Sequence, residues 1–232
     1  QDIGIELDPS QTSFNDWQDI VFGTGQNQSY QLSFSGGTEK TNYFFSTGYL
    51  SEAGIVEPAR FDRYSIRLNL DNQLNSWLKI GTNINYLHSR TKDTPDNASS
   101  GRGGVIMSTL NTPPFLNIWK EDGSGQYDPN PFQPSWENPV AYMDGPAQET
   151  KDDRIFGNVF AEVTFLKDFV FRTNAGLDQT SHQWDYFLNP WETNYGRQQN
   201  GIGRSDKSIS TTWLGDNLLT YSHVFDKHNV TA

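Results

Sequence analysis

Cysteine is absent from the 232 residues, methionine occurs only twice, and no apolar run approaches the roughly 18 residues that a membrane-spanning helix needs. The first absence removes disulfides, thiolate metal sites and thiol nucleophiles together. The last excludes a spanning helix and nothing more, because barrel strands alternate apolar and polar residues and escape a hydropathy window. Charge is also scarce, at 19% of residues, and unbalanced: 28 acidic against 17 scattered basic side chains leave a net charge of -11. Without a basic cluster there is no footprint for a phosphate backbone, so nucleic acid is excluded as a partner. Aromatic residues are what the chain has in quantity, with 7 Trp, 10 Tyr and 15 Phe. With so few charges for solvated helices, that composition favours strands.

The period along the chain is two. Tyr30, Leu32 and Phe34 alternate with Gln31, Ser33 and Ser35, and after Gly36-Gly37-Thr38-Glu39-Lys40 the alternation resumes at Tyr43, Phe45, Thr47 and Tyr49. From Arg63 to Asp71 one face reads Arg63, Ser65, Arg67, Asn69, Asp71 and the other Tyr64, Ile66, Leu68, Leu70. Leu78, Ile80, Thr82, Ile84 and Tyr86 continue the pattern. Ile155 to Phe165 and Phe169 to Leu177 form a further hairpin about Leu166-Lys167-Asp168, and another strand runs from about Ser208 to Phe225. The fold expected is all-β, an antiparallel up-and-down meander of seven to eight long strands.

Connections alternate between short and long. Short turns fall near 36–41, 73–77, 166–168 and 226–228, and long loops are expected at about 51–60, 89–151 and 181–206. Residues 1–26 read as a loop with a short helical lead-in, followed by sheet over 27–232. One tight end and one elaborate end favour the wall of a transmembrane barrel over a soluble sandwich. Strands long enough to cross a bilayer point the same way, as does an apolar face without charge between Tyr64 and Leu70, Leu78 and Tyr86, or Ile155 and Phe165. Tyr30, Phe34, Tyr64, Tyr86, Phe165 and Phe169 read as strand-end interfacial aromatics. A half-buried soluble sheet gives the same alternation. The last strand stops at Ala232, so a section of a larger barrel is expected.

Several stretches carry a family pattern: Asp16-Trp17-Gln18-Asp19-Ile20-Val21-Phe22, Ser33 to Phe44, Gly48-Tyr49-Leu50 with Gly54-Ile55-Val56, and Arg63 to Asp71. In order and spacing they resemble the SusC/RagA family of TonB-dependent outer-membrane transporters. The resemblance continues more weakly through Leu78-Lys79-Ile80-Gly81 and Glu137-Asn138-Pro139-Val140 to Asp226–Thr231. It implies a section of a 22-stranded barrel with a plugged lumen, placed in the bacterial outer membrane and surrounded by its lipid. It further implies a SusD-like surface lipoprotein as partner, import of glycans or peptides, and contact with TonB through parts that have no counterpart in this chain.

The loops supply the candidate contact residues: Trp119, Tyr127 and Trp136 in the first long connection, and Trp184, Tyr186, Trp191 and Tyr195 in the second. Such rings stack on sugar faces and anchor interfaces, and they equally pack loops against each other. Glu121 to Asp128 interleaves oxygens with glycine but lacks EF-hand spacing, and reads as a solvated turn. Gly101-Arg102-Gly103-Gly104 lacks the ending of a phosphate loop. His88, His182, His223 and His228 show no metal-ligand spacing. No cofactor, metal or catalytic residue is expected. The rival readings are a soluble all-β glycan-binding module that uses the same aromatics, and an acidic-site glycoside hydrolase.

Overall fold

The computed structural model describes residues 14–94, 104–131 and 137–232. Eight strands form one sheet in strict chain order: β1 Gln26–Gly37, β2 Thr41–Ala53, β3 Arg60–Gln73, β4 Leu78–Asp93, β5 Pro146–Phe165, β6 Phe169–Leu188, β7 Ile202–Phe225 and β8 His228–Thr231. Every neighbouring pair is antiparallel. Turns at one end are a few residues long, as the Gly-, Asn- and Asp-rich links dictate. Thr38 Oγ1 accepts from the amides of Lys40 and Thr41, and Asn75 Oδ1 accepts from those of Trp77 and Leu78.

Cross-strand register keeps the two faces distinct. The row Tyr30–Tyr49–Tyr64–His88 crosses four strands, and Phe165–Phe169–Tyr221 crosses three near the tight-turn end. Between the rows this face carries Ile66, Leu68, Ile84, Ile155, Val159, Phe171, Trp213 and Leu219, all exposed. The ten steps from Ile155 to Phe165 rise ~3.3 Å each, and at a tilt of ~40° they span ~25 Å, the height of the apolar band of a transmembrane barrel. The upper edge of that band descends from the Tyr30 row to the row of Trp213, two same-face rows lower, as a level plane must when strands are tilted.

The strands overrun the alternation from which they were read. Loops expected at 51–60, 89–151 and 181–206 are confined to 54–59, 94–145 and 189–201. Tyr30, Tyr64 and Tyr86 consequently mark the edge of the apolar band rather than the ends of their strands. Beyond the band both faces of the sheet turn polar, so hydrophobic period vanishes while backbone pairing continues.

Apart from Phe160 on β5, the buried apolar side chains among the described residues lie in the long-loop end. Helix α1 (Trp17–Val21) precedes the sheet, α2 (Val105–Asn111) and α3 (Pro139–Asp144) lie in the β4–β5 connection, and α4 (Asn194–Gln199) lies in the β6–β7 loop. Val21, Val56 and Val105 form the core cluster, flanked by Phe22, Tyr142 and Met143. Trp17 is buried as well, and its Nε1 donates to the carbonyl of Pro113 at 2.9 Å.

Candidate functional site

Glu137 and Asn138, both buried, open the short helix α3, and they organise the cap that closes the long-loop end. Asn138 is a natural N-cap before Pro139. Its Oδ1 accepts from the Val140 amide at 3.0 Å, while its Nδ2 lies within 3.1–3.3 Å of the carbonyls of Asn117, Ile118 and Asp128. Glu137 Oε1 accepts from the amide of Tyr195 at 3.0 Å and so ties α4 to α3. Asn189 Nδ2 reaches the Gly145 carbonyl at 3.5 Å. Neither Glu137 nor Asn138 was among the contact residues expected, although the helix-start signature of Asn138-Pro139 was legible.

The structure separates the expected contact residues into three groups. Trp119 and Tyr127 stack with ring centroids 4.3 Å apart, at the base of a small hairpin closed by backbone bonds between Lys120 and Gln126 and between Asp128 and Ile118. Tyr127 is buried and its hydroxyl donates to Asp144; burial first, then that carboxylate, push its pKa well above the ordinary tyrosine value. Trp136 lies outside the described residues. Trp191, 69% exposed, and Tyr195 belong to the 189–201 loop, where Asn189 and Thr193 shape the backbone.

Trp184 and Tyr186 are strand residues, not loop residues. They occupy the upper part of β6, which stays paired to β5 and β7 as far as Leu188. Their even position puts them on the face of Arg172, Asp178 and His182, opposite the apolar band. Two residues apart on one strand, their rings stack at 5.8 Å with only 5° between planes. Tyr186 is half-buried, and burial followed by the neighbouring Tyr195 raises its pKa. A flat, rigid, partly shielded aromatic pair of this kind offers a stacking surface for a sugar ring or a planar side chain.

Below that pair the polar face is crossed by a row of amides. Asn83 donates to Asn158 at 3.3 Å, Asn158 to Asn174 at 2.5 Å, and Asn174 to Asp216 at 3.0 Å. Asn69 extends the row, and its shielded Oδ1 has no partner among the described residues. Phenyl rings on the same face sit under cations: Arg172 is 4.1 Å from the ring centre of Phe160, Lys79 is 5.7 Å from it, and Arg154 is 4.8 Å from that of Phe156. The Phe160 ring lies across Gly81, where a Cβ atom would meet it at 2.4 Å. The 121–128 segment folds as a turn with Gly123 and Gly125 at φ of 73° and 68°, and Asp122 accepts from the Ser124 amide; the Ser124 hydroxyl first, then that amide, lower its pKa.

No family model matches the chain. Among curated proteins, TonB-dependent receptor P3 of Formosa agariphila is 30% identical over 220 residues, 93% of this chain and 22% of that protein. TonB-dependent receptor SusC of Bacteroides thetaiotaomicron is 25% identical over 198 residues, 78% of this chain and 20% of that protein. The chain thus spans about a fifth of the length of the curated relatives it matches. Among solved structures, the RagAB peptide importer in its closed-closed state is 26% identical with a TM-score of 0.68, over 95% of this chain and 25% of that one. The RagAB peptide transporter superposes with a TM-score of 0.70 at 23% identity, again over 95% of this chain and 25% of the other. Two-faced wall, tilted band and matching relatives agree: the chain is a SusC/RagA-type stretch of TonB-dependent receptor barrel.

Proposed function

We propose that this chain forms part of the wall of an outer-membrane importer that is coupled to TonB through other parts of a longer protein. The long-loop end faces the cell surface, and the polar face lines the lumen. A contiguous exposed apolar face, bounded above and below by aromatic rows, is the observation that carries the reading. Water penalises such a surface and lipid welcomes it. The relatives named as TonB-dependent receptors support the transport role. By their analogy the cap is where a SusD-like surface lipoprotein docks.

Trp184 and Tyr186, at the mouth of the lumen beneath the cap, serve as the first contact for an oligosaccharide, with a peptide as the alternative cargo. Trp119 and Trp191 with Tyr127 and Tyr195 belong to the loops around that mouth. The test is ligand binding by the full-length receptor carrying this segment, purified from outer membranes in detergent, against panels of oligosaccharides and oligopeptides. Trp184→Ala with Tyr186→Ala is expected to weaken the preferred ligand about tenfold or more, on the scale of lost aromatic stacking. A receptor that is monodisperse in plain buffer overturns the membrane reading, and unchanged binding by the double variant overturns the aromatic contact alone.

A further inference from the structure

Immediately above the upper aromatic row, the lipid-side face changes from apolar to charged within one step of register. Five cations stand in two adjacent rows, Arg90, Lys151 and Lys207 in the lower and Arg60 and Lys92 in the upper, against three carboxylates in those rows, Asp62, Glu149 and Asp185, and a fourth, Asp153, in the row directly below. A strip that is net positive is a local reversal in a chain of net charge -11. Register sets Arg60 directly opposite Lys92 and Arg90 directly opposite Lys151. Like charges in that position repel; Asp62 opposite Arg90 and Glu149 opposite Lys92 offset part of that repulsion, and the remaining positive excess asks for anions. Asp62 takes Arg60 at 2.9 Å, and Glu149 is shared between Arg90 and Lys151, the latter at 3.6 Å. Lys92 and Lys207 have no ion pair among the described residues. Arg60, Arg90 and Lys151 keep 50%, 46% and 40% of their side chains exposed.

Below the strip the same face holds a furrow of about 250 Å³, lined by Ile84, Ile155, Val159, Ala175, Leu177 and Trp213. Its floor is Gly157, where a Cβ atom would meet the Asn83 carbonyl at 2.1 Å, so the hollow is built into the backbone. Ile155 is four residues from Lys151 on β5, ~13 Å along the strand. Between them stands Asp153, neutralised in part by the Tyr86 hydroxyl at 2.6 Å and His88 at 2.8 Å, and cations above with an apolar trough below match one amphiphile with an anionic head.

We propose that this strip and furrow bind a phosphorylated acyl lipid of the outer leaflet, its phosphates on Arg90, Lys92, Lys151 and Lys207 and an acyl chain along Ile155 and Ala175. The inference rests on the membrane reading above. The long-loop end belongs to the surface side of a barrel, which gives the leaflet. Basic residues beside a membrane draw anionic headgroups by direct attraction.

The experiment uses the full-length receptor in detergent, titrated with lipopolysaccharide and with the same lipid after phosphatase treatment. Wild-type receptor should bind the phosphorylated form at least tenfold more tightly, and salt should weaken that preference. Lys92→Ser with Lys207→Ser removes the two cations that hold no ion pair, and should weaken binding of the phosphorylated form about fivefold or more without disturbing heat-modifiable folding. Ala175→Trp, which fills the furrow, should weaken both forms alike. Equal affinity for the two lipid forms, or a Lys92/Lys207 variant indistinguishable from wild type, overturns the proposal while leaving the barrel reading intact. A receptor absent from the outer-membrane fraction overturns both.

Discussion

In the wall, the strands are held by continuous ladders while most side chains of both faces stand at least partly open, Phe160 across Gly81 being a buried exception. In the cap, the ladder bonds are few and the side chains are closed in: Val21, Val56 and Val105 pack together, and Asn138 and Glu137 gather backbone groups from three segments. The wall therefore draws its order from backbone hydrogen bonds and from whatever medium covers its faces. The cap draws its order from an internal core of its own. That difference separates their sensitivities, and a barrel can keep its register while its cap adapts to a ligand or partner.

The comparison breaks most sharply at the middle of the apolar band. Leu68→Arg on β3 should cost about 2–4 kcal/mol when the full-length receptor folds into phosphatidylcholine vesicles, since a cation there faces the bilayer midplane. Leu110→Arg on the exposed side of α2 should cost within about 0.5 kcal/mol. Urea titration read by heat-modifiable mobility measures both. Equal costs would mean that the Leu68 face does not meet lipid.

A second substitution turns the test on the cap. Val105 is 1% exposed and sits in the small core. Val105→Ala should cost about 1–3 kcal/mol, with the loss confined to α1, α2 and α3. Amide exchange by peptide mass spectrometry should show faster exchange across those helices and an unchanged β2–β6 ladder. Loosening that spreads into the ladder would show that cap and wall form one cooperative unit.

How far the fold was legible follows from the same contrast. Between the aromatic rows lipid demands apolar residues on one face, so period two is written plainly at Tyr64, Ile66, Leu68 and Leu70, and strand order and tight turns follow from it. Above the rows, segments such as Ser89–Asp93 and Ser181–Gln183 pair as regularly, yet water meets both faces and the alternation has nothing to enforce it. Trp184 and Tyr186 were thus assigned to a loop that is in fact strand. The aromatic types pointed to the contact residues, but the face they occupy depended on how far β6 runs. The cap was the least legible part, because its core joins residues as distant as Val21 and Val105 with no period between them. The net-positive strip was hidden for a related reason: Arg90, Lys151 and Lys207 are scattered in sequence and meet only through register.

The smallest expected effect is also the one that distinguishes the regions by sign. At the charged strip, Asp62 is held below the usual carboxylate range chiefly by its bond to Arg60, and Glu149 chiefly by its bond to Arg90. A lowered folded-state pKa means that the unfolded chain binds the proton more readily. The stability these groups contribute is therefore present above about pH 4 and lost as pH falls through their lower folded values. Exposed ion pairs of this kind are screened by solvent and contribute little each. Tyr127 in the cap is shifted the opposite way, upward, by burial and Asp144. Its contribution is complete below the ordinary tyrosine value near pH 10 and is lost as pH rises through the higher folded one. Acid should then loosen the strand extensions around Asp62 and Glu149 while the cap holds, and alkali should open the cap first. Amide exchange corrected for its intrinsic pH dependence reads the first limb, and the late appearance of one tyrosinate absorbance step, removed by Tyr127→Phe, reads the second. Simultaneous loosening of both regions at either extreme would erase the distinction between a wall ordered by its surroundings and a cap ordered by its core.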